Sequence, residues 1–371
     1  MAVQHGYGGS LANDLIFAYD TLDIKNSYRG VPTTNLIISP DGNANVITTD
    51  VPYETDVVGF AQYSSGYFVN PRNTTPTAAT GKTFTYSVWM RSRSATPSTY
   101  LMYVYTGTGS DGGWWFFGAG GLTQEWRKYS YTRNDVTGTI SQVTVYRYNQ
   151  QGTIDIAAPQ IEEKPYSTQF VNGSRSATQG LLDLTGNNLI DISTTSFNSS
   201  AQMRFDGTDD YGQTGVFVPN ITDKTYEAVT KLYDVNHQAG GVIGIMGESG
   251  EPFDTIVYNE TGQGWGFGST GFQRTAWSGV KETSTNFVHL VATYSDYNYN
   301  LYRNGQLILT TQNYPILDYN FDSVIIFGKR HGVSIGPYNG EIPVAKIYSR
   351  ALTAAEVTQN FKKYQTRFGI A

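Results

Sequence analysis

Four tryptophans and a few aspartates are the residues of this chain whose types and spacing could bind a ligand. Trp114, Trp115, Trp265 and Trp277 lie in glycine-rich surroundings, among them Gly112-Gly113-Trp114-Trp115 and Gly264-Trp265-Gly266, which predict loops or strand ends. An exposed indole there would stack on the C–H face of a pyranose ring, with nearby amides and carboxylates fixing the hydroxyls. Trp114 and Trp115 are adjacent, so on a strand they face opposite sides, one to a core and one to solvent. Asp206, Asp209 and Asp210 crowd into five residues and offer the hard oxygen ligands that calcium prefers. The same aspartates would also cap backbone N–H groups in a turn without any metal.

Catalytic chemistry finds less support. The four histidines, His5, His237, His289 and His331, show no zinc-ligand spacing. His289 lies between Val288 and Leu290 on an alternating strand and reads as a satisfied sheet residue. No Gly-x-Ser-x-Gly turn presents a nucleophile. Glycoside hydrolysis requires two carboxylates flanking one bond. The pair Glu162 and Glu163 is adjacent and would point to opposite faces of a strand. A non-enzymatic chain is expected.

Strands and turns must position these residues. Thr83–Arg91 alternates, with Phe84, Tyr86, Val88 and Met90 on one face, and Val288–Tyr294 alternates likewise. Asn304-Gly305 marks a two-residue hairpin turn. Near the C-terminus, Ile342, Val344 and Ile347 read as one face of a strand, followed by a helix start. There Thr353 and Glu356 fit a capping box, and Val357, Phe361 and Tyr364 recur at helical spacing.

Composition agrees with an all-β chain. Aromatic residues make up 14%, with 28 Tyr, against 15% charged residues, and there are 40 Gly. Tyr and Thr favour strands, whereas Gly and Asn favour turns. A net charge of −6 without Lys/Arg clusters argues against nucleic-acid binding. With no cysteine, structural disulfides are impossible. The stretch Met1–Ser10 has neither a basic region nor an apolar core, so no secretory signal is expected, and no apolar run predicts a membrane span.

Two resemblances follow from quoted motifs. Phe84–Met90 (FTYSVWM), Leu122–Thr132 (LTQEWRKYSYT) and Ile154–Glu163 (IDIAAPQIEE) resemble family 4/9 carbohydrate-binding modules, which are galactose-binding-like jelly-rolls. Leu181–Asn188 (LLDLTGNN), Met203–Tyr211 (MRFDGTDDY), Val288–Tyr294, Asn300–Ile308 and the strand–helix terminus resemble laminin-G-like, concanavalin A-like lectin domains. The opening of that family is similar to Leu15–Asp20 and Asn26–Thr34, far ahead of the entry motif at Asp183. This implies a lectin-like sandwich of 15–33 plus 174–371, a jelly-roll inserted at 34–173, a short C-terminal helix and an N-terminal arm at 1–14. Trp89 and Trp126 match motif positions and are expected in the core.

The resemblances imply binding. Both families often carry structural calcium, which would place ligands at Asp155 in the jelly-roll and at Asp206, Asp209 and Asp210 in the lectin-like part. Pro165–Gly173 (PYSTQFVNG) resembles a segment common in phage tail and fibre proteins. With no cysteine and no export signal, the expectation is a tailed-phage virion surface protein: a fibre, tail appendage or capsid decoration. It would contact other capsid or tail proteins and host surface glycans, as a homo-oligomer. A structural cement protein and a polysaccharide depolymerase are the alternatives.

Overall fold

The computed structural model describes residues 14–37, 45–46, 50, 52, 61–64, 68–93, 100–106, 122–134, 137–147, 153–332 and 335–371. Trp114, Trp115 and residues 1–13 of the expected arm lie outside the described residues. The chain divides into two compact units: Met1–Gly30, Ala177–Asn198 and Gln202–Ala371 form one, and Val31–Ser176 with Ser199–Ala201 forms the other.

In the first unit two antiparallel sheets enclose one core. The eight-stranded sheet runs Ser196–Phe197, Met203–Asp206, Asn339–Tyr348, Lys224–Leu232, Val288–Ser295, Asn298–Arg303, Gln306–Thr311, and Leu15–Asp20 lies beside Asn339–Tyr348. Phe17 pairs with Ile347 and Asp20 with Val344. The seven-stranded sheet runs Ile190–Asp191, Gly212–Thr214, Ser323–Phe327, Gly240–Gly247, Phe253–Tyr258, Trp265–Ser269, Ala276–Trp277. Phe17, Tyr226, Leu290, Ile342 and Ile347 from one sheet meet Ile245, Ile256, Phe267 and Phe327 from the other. Period-two alternation produces this layer.

Asn304 and Gly305 have φ of 50° and 76°, both in the left-handed region that a type I′ hairpin requires. They join strands in which Arg303 pairs with Gln306. Val344 departs from expectation. A register shift between Val229 and Lys231 inserts an extra residue into Asn339–Tyr348. Ile342 and Ile347 therefore face the sandwich core, whereas Val344 turns to the opposite face.

That opposite face lies under the C-terminal helix Ala354–Phe368. Its capping box is formed: Glu356 N–H donates to Thr353 Oγ1 at 3.3 Å and Thr353 N–H donates to Glu356 Oε2 at 2.8 Å. Gly369 closes the helix at φ 61°, where glycine avoids the cost of a Cβ. Val357 packs with Val291, Tyr302, Tyr348 and Leu352, and Tyr364 packs with Val229, Val344 and Ile370.

The second unit has a five-stranded sheet, Asn45–Val46, Ala61–Ser64, Ile154–Glu162, Phe84–Ser92, Arg127–Arg133, and a three-stranded sheet, Phe68–Ala78, Thr139–Arg147, Tyr100–Thr106. Phe84, Tyr86, Val88 and Met90 meet Met102, Val104, Val143 and Val145 between them. Among the described residues no helix is long and apolar enough to cross a membrane.

Candidate functional site

The outer face of the seven-stranded sheet is the one the C-terminal helix leaves uncovered. Three glycines lower its floor: Gly244, Gly266 and Gly268. A Cβ on Gly266 would come within 2.4 Å of the Trp277 ring, so the indole lies directly on the sheet. Gly266 pairs with Trp277 across the edge strand, and Trp277 is half-buried with Ala276 turned to the core. Met246, Phe253, Val324 and Ile326 form a small buried apolar cluster on the same outer side.

The segment after Phe327 crosses this face. Thr255 Oγ1 donates to the Arg330 carbonyl at 2.8 Å, and the His331 ring stacks on Phe253 with centroids 4.1 Å apart and planes 9° from parallel. The Arg330 guanidinium pairs with Glu260. Its Nη2 lies 3.4 Å from His331 Nε2, and its buried Nε has no hydrogen-bond partner among the described residues. His331 Nδ1 is 3.6 Å from Glu251, which accepts from Thr270 Oγ1. Burial, aided by the Arg330 charge, lowers the His331 pKa and favours the neutral imidazole. Lys329 is buried with its ammonium 3.4 Å from the centre of the Tyr211 ring, and burial pushes its pKa down to about 8. An aromatic plane, a guanidinium–carboxylate pair and an imidazole on one sheet face can stack on and hydrogen-bond a polar ring. The carboxylates here, Glu251 and Glu260, each already hold a partner.

The sequence-predicted residues meet different fates. Trp265 is fully buried and is no platform, which corrects the expectation. It belongs to the inner face of its strand, against Tyr258 at 4.6 Å, and its Nε1 donates to Glu282 Oε1 at 2.6 Å. Trp89 and Trp126, expected in the core, are half-buried. Alternation that sends Val88 and Met90 inward sends Trp89 out, and Trp126 lies under the Arg91 guanidinium at 4.7 Å. Asp155 is buried, but its two oxygens accept from Arg91 Nε at 2.8 Å and Arg93 Nε at 2.6 Å. Two guanidiniums take the place a cation would need, so the calcium expectation at Asp155 is corrected to an ion-pair role.

Asp206, Asp209 and Asp210 do converge, with one ligand oxygen of each within 4.8 Å of the others. The turn also closes on itself. Asp210 Oδ1 accepts from Ser196 Oγ at 3.0 Å, its Oδ2 accepts from Asp206 N–H at 2.9 Å, and Asp206 Oδ1 accepts from Thr208 N–H at 2.8 Å. The donor set suits a hard cation in kind, with Asp206 Oδ2 and the Asp209 carboxylate left to bind one. His289 is buried and its Nε2 pairs with Glu227 at 2.8 Å, as a structural sheet histidine, while its Nδ1 has no hydrogen-bond partner among the described residues. Glu162 is buried, accepting from Thr168 Oγ1 at 2.8 Å, whereas Glu163 is exposed with Lys82.

Sequence reasoning missed Arg330, His331, Glu260 and Phe253. The available signal was Gly328–Gly332 (GKRHG), three basic residues between glycines. Its partners are distant in sequence, so spacing alone did not assemble it.

This arrangement defines an all-β protein pairing a concanavalin A-like sandwich with a jelly-roll. Residues 206–358 match the family described as the Concanavalin A-like lectin/glucanases superfamily. A search of curated proteins returns no match. Among solved structures, domain 4 of AbnA, an extracellular arabinanase from Geobacillus stearothermophilus in complex with arabinotriose, is 15% identical with a TM-score of 0.42, over 50% of this chain and 92% of that one. Trypanosoma rangeli sialidase is 14% identical with a TM-score of 0.40, over 64% of this chain and 43% of that one. The CBM40 of Ruminococcus gnavus IT-sialidase, bound to α2,3 sialyllactose, is 16% identical with a TM-score of 0.32, over 38% and 83%.

Proposed function

We propose that this chain is a non-enzymatic glycan-binding protein of a tailed-phage virion, using the outer face of its seven-stranded sheet to hold host surface sugars. The observation that carries the binding part is the Trp277 indole lying on the Gly266 floor, partly open, on the same sheet face as the Arg330–Glu260 pair. A flat aromatic beside paired donors and acceptors is what a sugar ring needs, a C–H face to cover and hydroxyls to satisfy. The virion part is supported by the chain's composition and by Pro165–Gly173, and several copies would gain avidity from shallow sites.

The test is a glycan array with the wild-type protein and Trp277→Ala, run beside a reducing-end assay on the bound polysaccharide. The expected result is binding that Trp277→Ala weakens by roughly tenfold or more, as loss of an aromatic anchor does, with no sugar released. Binding indifferent to Trp277, or release of reducing ends, would refute the reading. Mass spectrometry of purified phage particles tests the virion placement, and absence of the chain from them would end it.

A purely structural role has one observation in its favour. Leu189, Val216 and Val218 are 61%, 49% and 41% exposed at one edge of the sandwich, where Gly215 N–H donates to the Leu189 carbonyl. Tight binding to empty capsids with no binding on the array would select it.

A further inference from the structure

We propose a second ligand site, independent of the Trp277 face, in a cavity where the end of the C-terminal helix meets the eight-stranded sheet, and we assign it an uncharged pyranose. The cavity measures about 370 Å³, at the lower end of the range of small-molecule sites. The sheet contributes Lys231 and Glu341, the helix end contributes Arg367 and Phe368, and the segment before Val288 contributes Phe287. Leu22, 49% exposed, stands at the rim.

Hydrogen bonding inside the cavity is incomplete. Lys231 Nζ lies 2.9 Å from Glu341 Oε1, and Tyr233 Oη donates to that same oxygen at 2.8 Å. Glu341 Oε2 has no hydrogen-bond partner among the described residues. Both Arg367 terminal nitrogens bind Asp20, which leaves Nε–H without one there. The Lys231 and Glu341 side chains are 26% and 18% exposed, reachable yet partly desolvated, so a bond made there is stronger than one in bulk water. One free acceptor and one free donor suit hydroxyl groups, which can both donate and accept.

The walls are aromatic. The Phe287 and Phe368 rings are 5.2 Å apart and tilted by 57°, and the Lys231 ammonium lies 5.0 Å from the Phe287 centroid. Such rings offer a C–H stacking surface. Charge selects the neutral ligand. Lys231 is balanced by Glu341 and Arg367 by Asp20, so an anionic sugar would compete with both carboxylates and a cationic one with both bases.

Saturation-transfer NMR tests this with the full chain and methyl glucopyranoside, methyl galactopyranoside, methyl mannopyranoside and glucuronate. At least one neutral glycoside should bind and shift the Phe287 and Phe368 ring signals. Glu341→Gln should weaken that binding by roughly tenfold, the factor lost with one charge-assisted hydrogen bond. Leu22→Trp, which fills the rim without touching the core, should weaken it as well. The proposal is overturned if no neutral glycoside moves those rings, if glucuronate binds there more tightly than all three, or if neither Glu341→Gln nor Leu22→Trp has an effect. Binding lost only in Trp277→Ala would uphold the sheet-face site and reject this one.

Discussion

Replacing Glu227 by glutamine should lower the unfolding free energy by about 3–5 kcal/mol, the loss that follows when one member of a buried ion pair is removed. Glu227 is fully buried between the eight-stranded sheet and the C-terminal helix. Its Oε1 faces His289 Nε2 at 2.8 Å. Its Oε2 accepts from Tyr348 Oη at 2.8 Å and Asn360 Nδ2 at 3.2 Å, and lies 3.4 Å from Lys346 Nζ. Glutamine would leave the buried Lys346 ammonium without a counter-charge and turn an amide N–H₂ toward donors. Burial alone would raise the Glu227 pKa, but the Lys346 charge and the His289 bond hold it down at about 2. An unfolded glutamate titrates near ~4.3. Because the folded value is the lower one, the stabilisation is complete above the unfolded pKa and fades as pH falls through the window from about 4.3 to about 2. Urea melts at neutral pH and across that window check both claims. A variant within ~1 kcal/mol of wild type, or one with the wild-type acid slope, would contradict the argument.

Trp265→Ala should cost about 3–5 kcal/mol of stability, as expected for emptying a large buried aromatic site. The indole is 0% exposed, packs on Tyr258, and gives its N–H to Glu282, which also takes two bonds from Arg303 at 2.7 Å each. Trp277→Ala, on the half-buried outer ring, should cost far less stability and change binding instead. Denaturant melts read beside the array separate the two. A stable Trp265→Ala that fails to bind sugar would show that the assignment of faces is inverted.

Much of the framework was legible before the fold was known. Asn304-Gly305 and the Thr353/Glu356 capping box are local signals whose geometry depends on a few neighbouring residues, and both are formed as read. Alternation at Phe84, Tyr86, Val88 and Met90 reported the correct inner face, and applied consistently it would have placed Trp89 outside. The failures share a cause, which is dependence on a distant partner. Gly264-Trp265-Gly266 read as a loop or strand end, and Trp265 does open the strand Trp265–Ser269; what the pattern hid was that its indole points inward. Gly264 turns at φ 77°, and a Cβ on it would meet the Val280 carbonyl at 1.9 Å, so this glycine also serves close backbone approach beside a core tryptophan. The resemblance placed a metal ligand at Asp155, but its partners Arg91, on the strand Phe84–Ser92, and Arg93, just past its end, are brought to it by a register no local pattern reveals. Val344 followed simple alternation until a single extra residue reversed it. The Arg330, Glu260 and His331 group, and the cavity at Glu341, need long-range packing before their members are neighbours.

The strand Asn339–Tyr348 has a further consequence for how the molecule is made. It is bonded along one edge to Lys224–Leu232 and along the other to Met203–Asp206 and Leu15–Asp20. On the ribosome this middle piece emerges after all of those neighbours, so the two halves of the sheet have no bridge until Asn339–Tyr348 itself has been made. Leu15–Asp20, the earliest of these neighbours in chain order, waits longest for its partner. Such late, non-local closure makes assembly slow and leaves unpaired strand edges open to chaperones in the meantime.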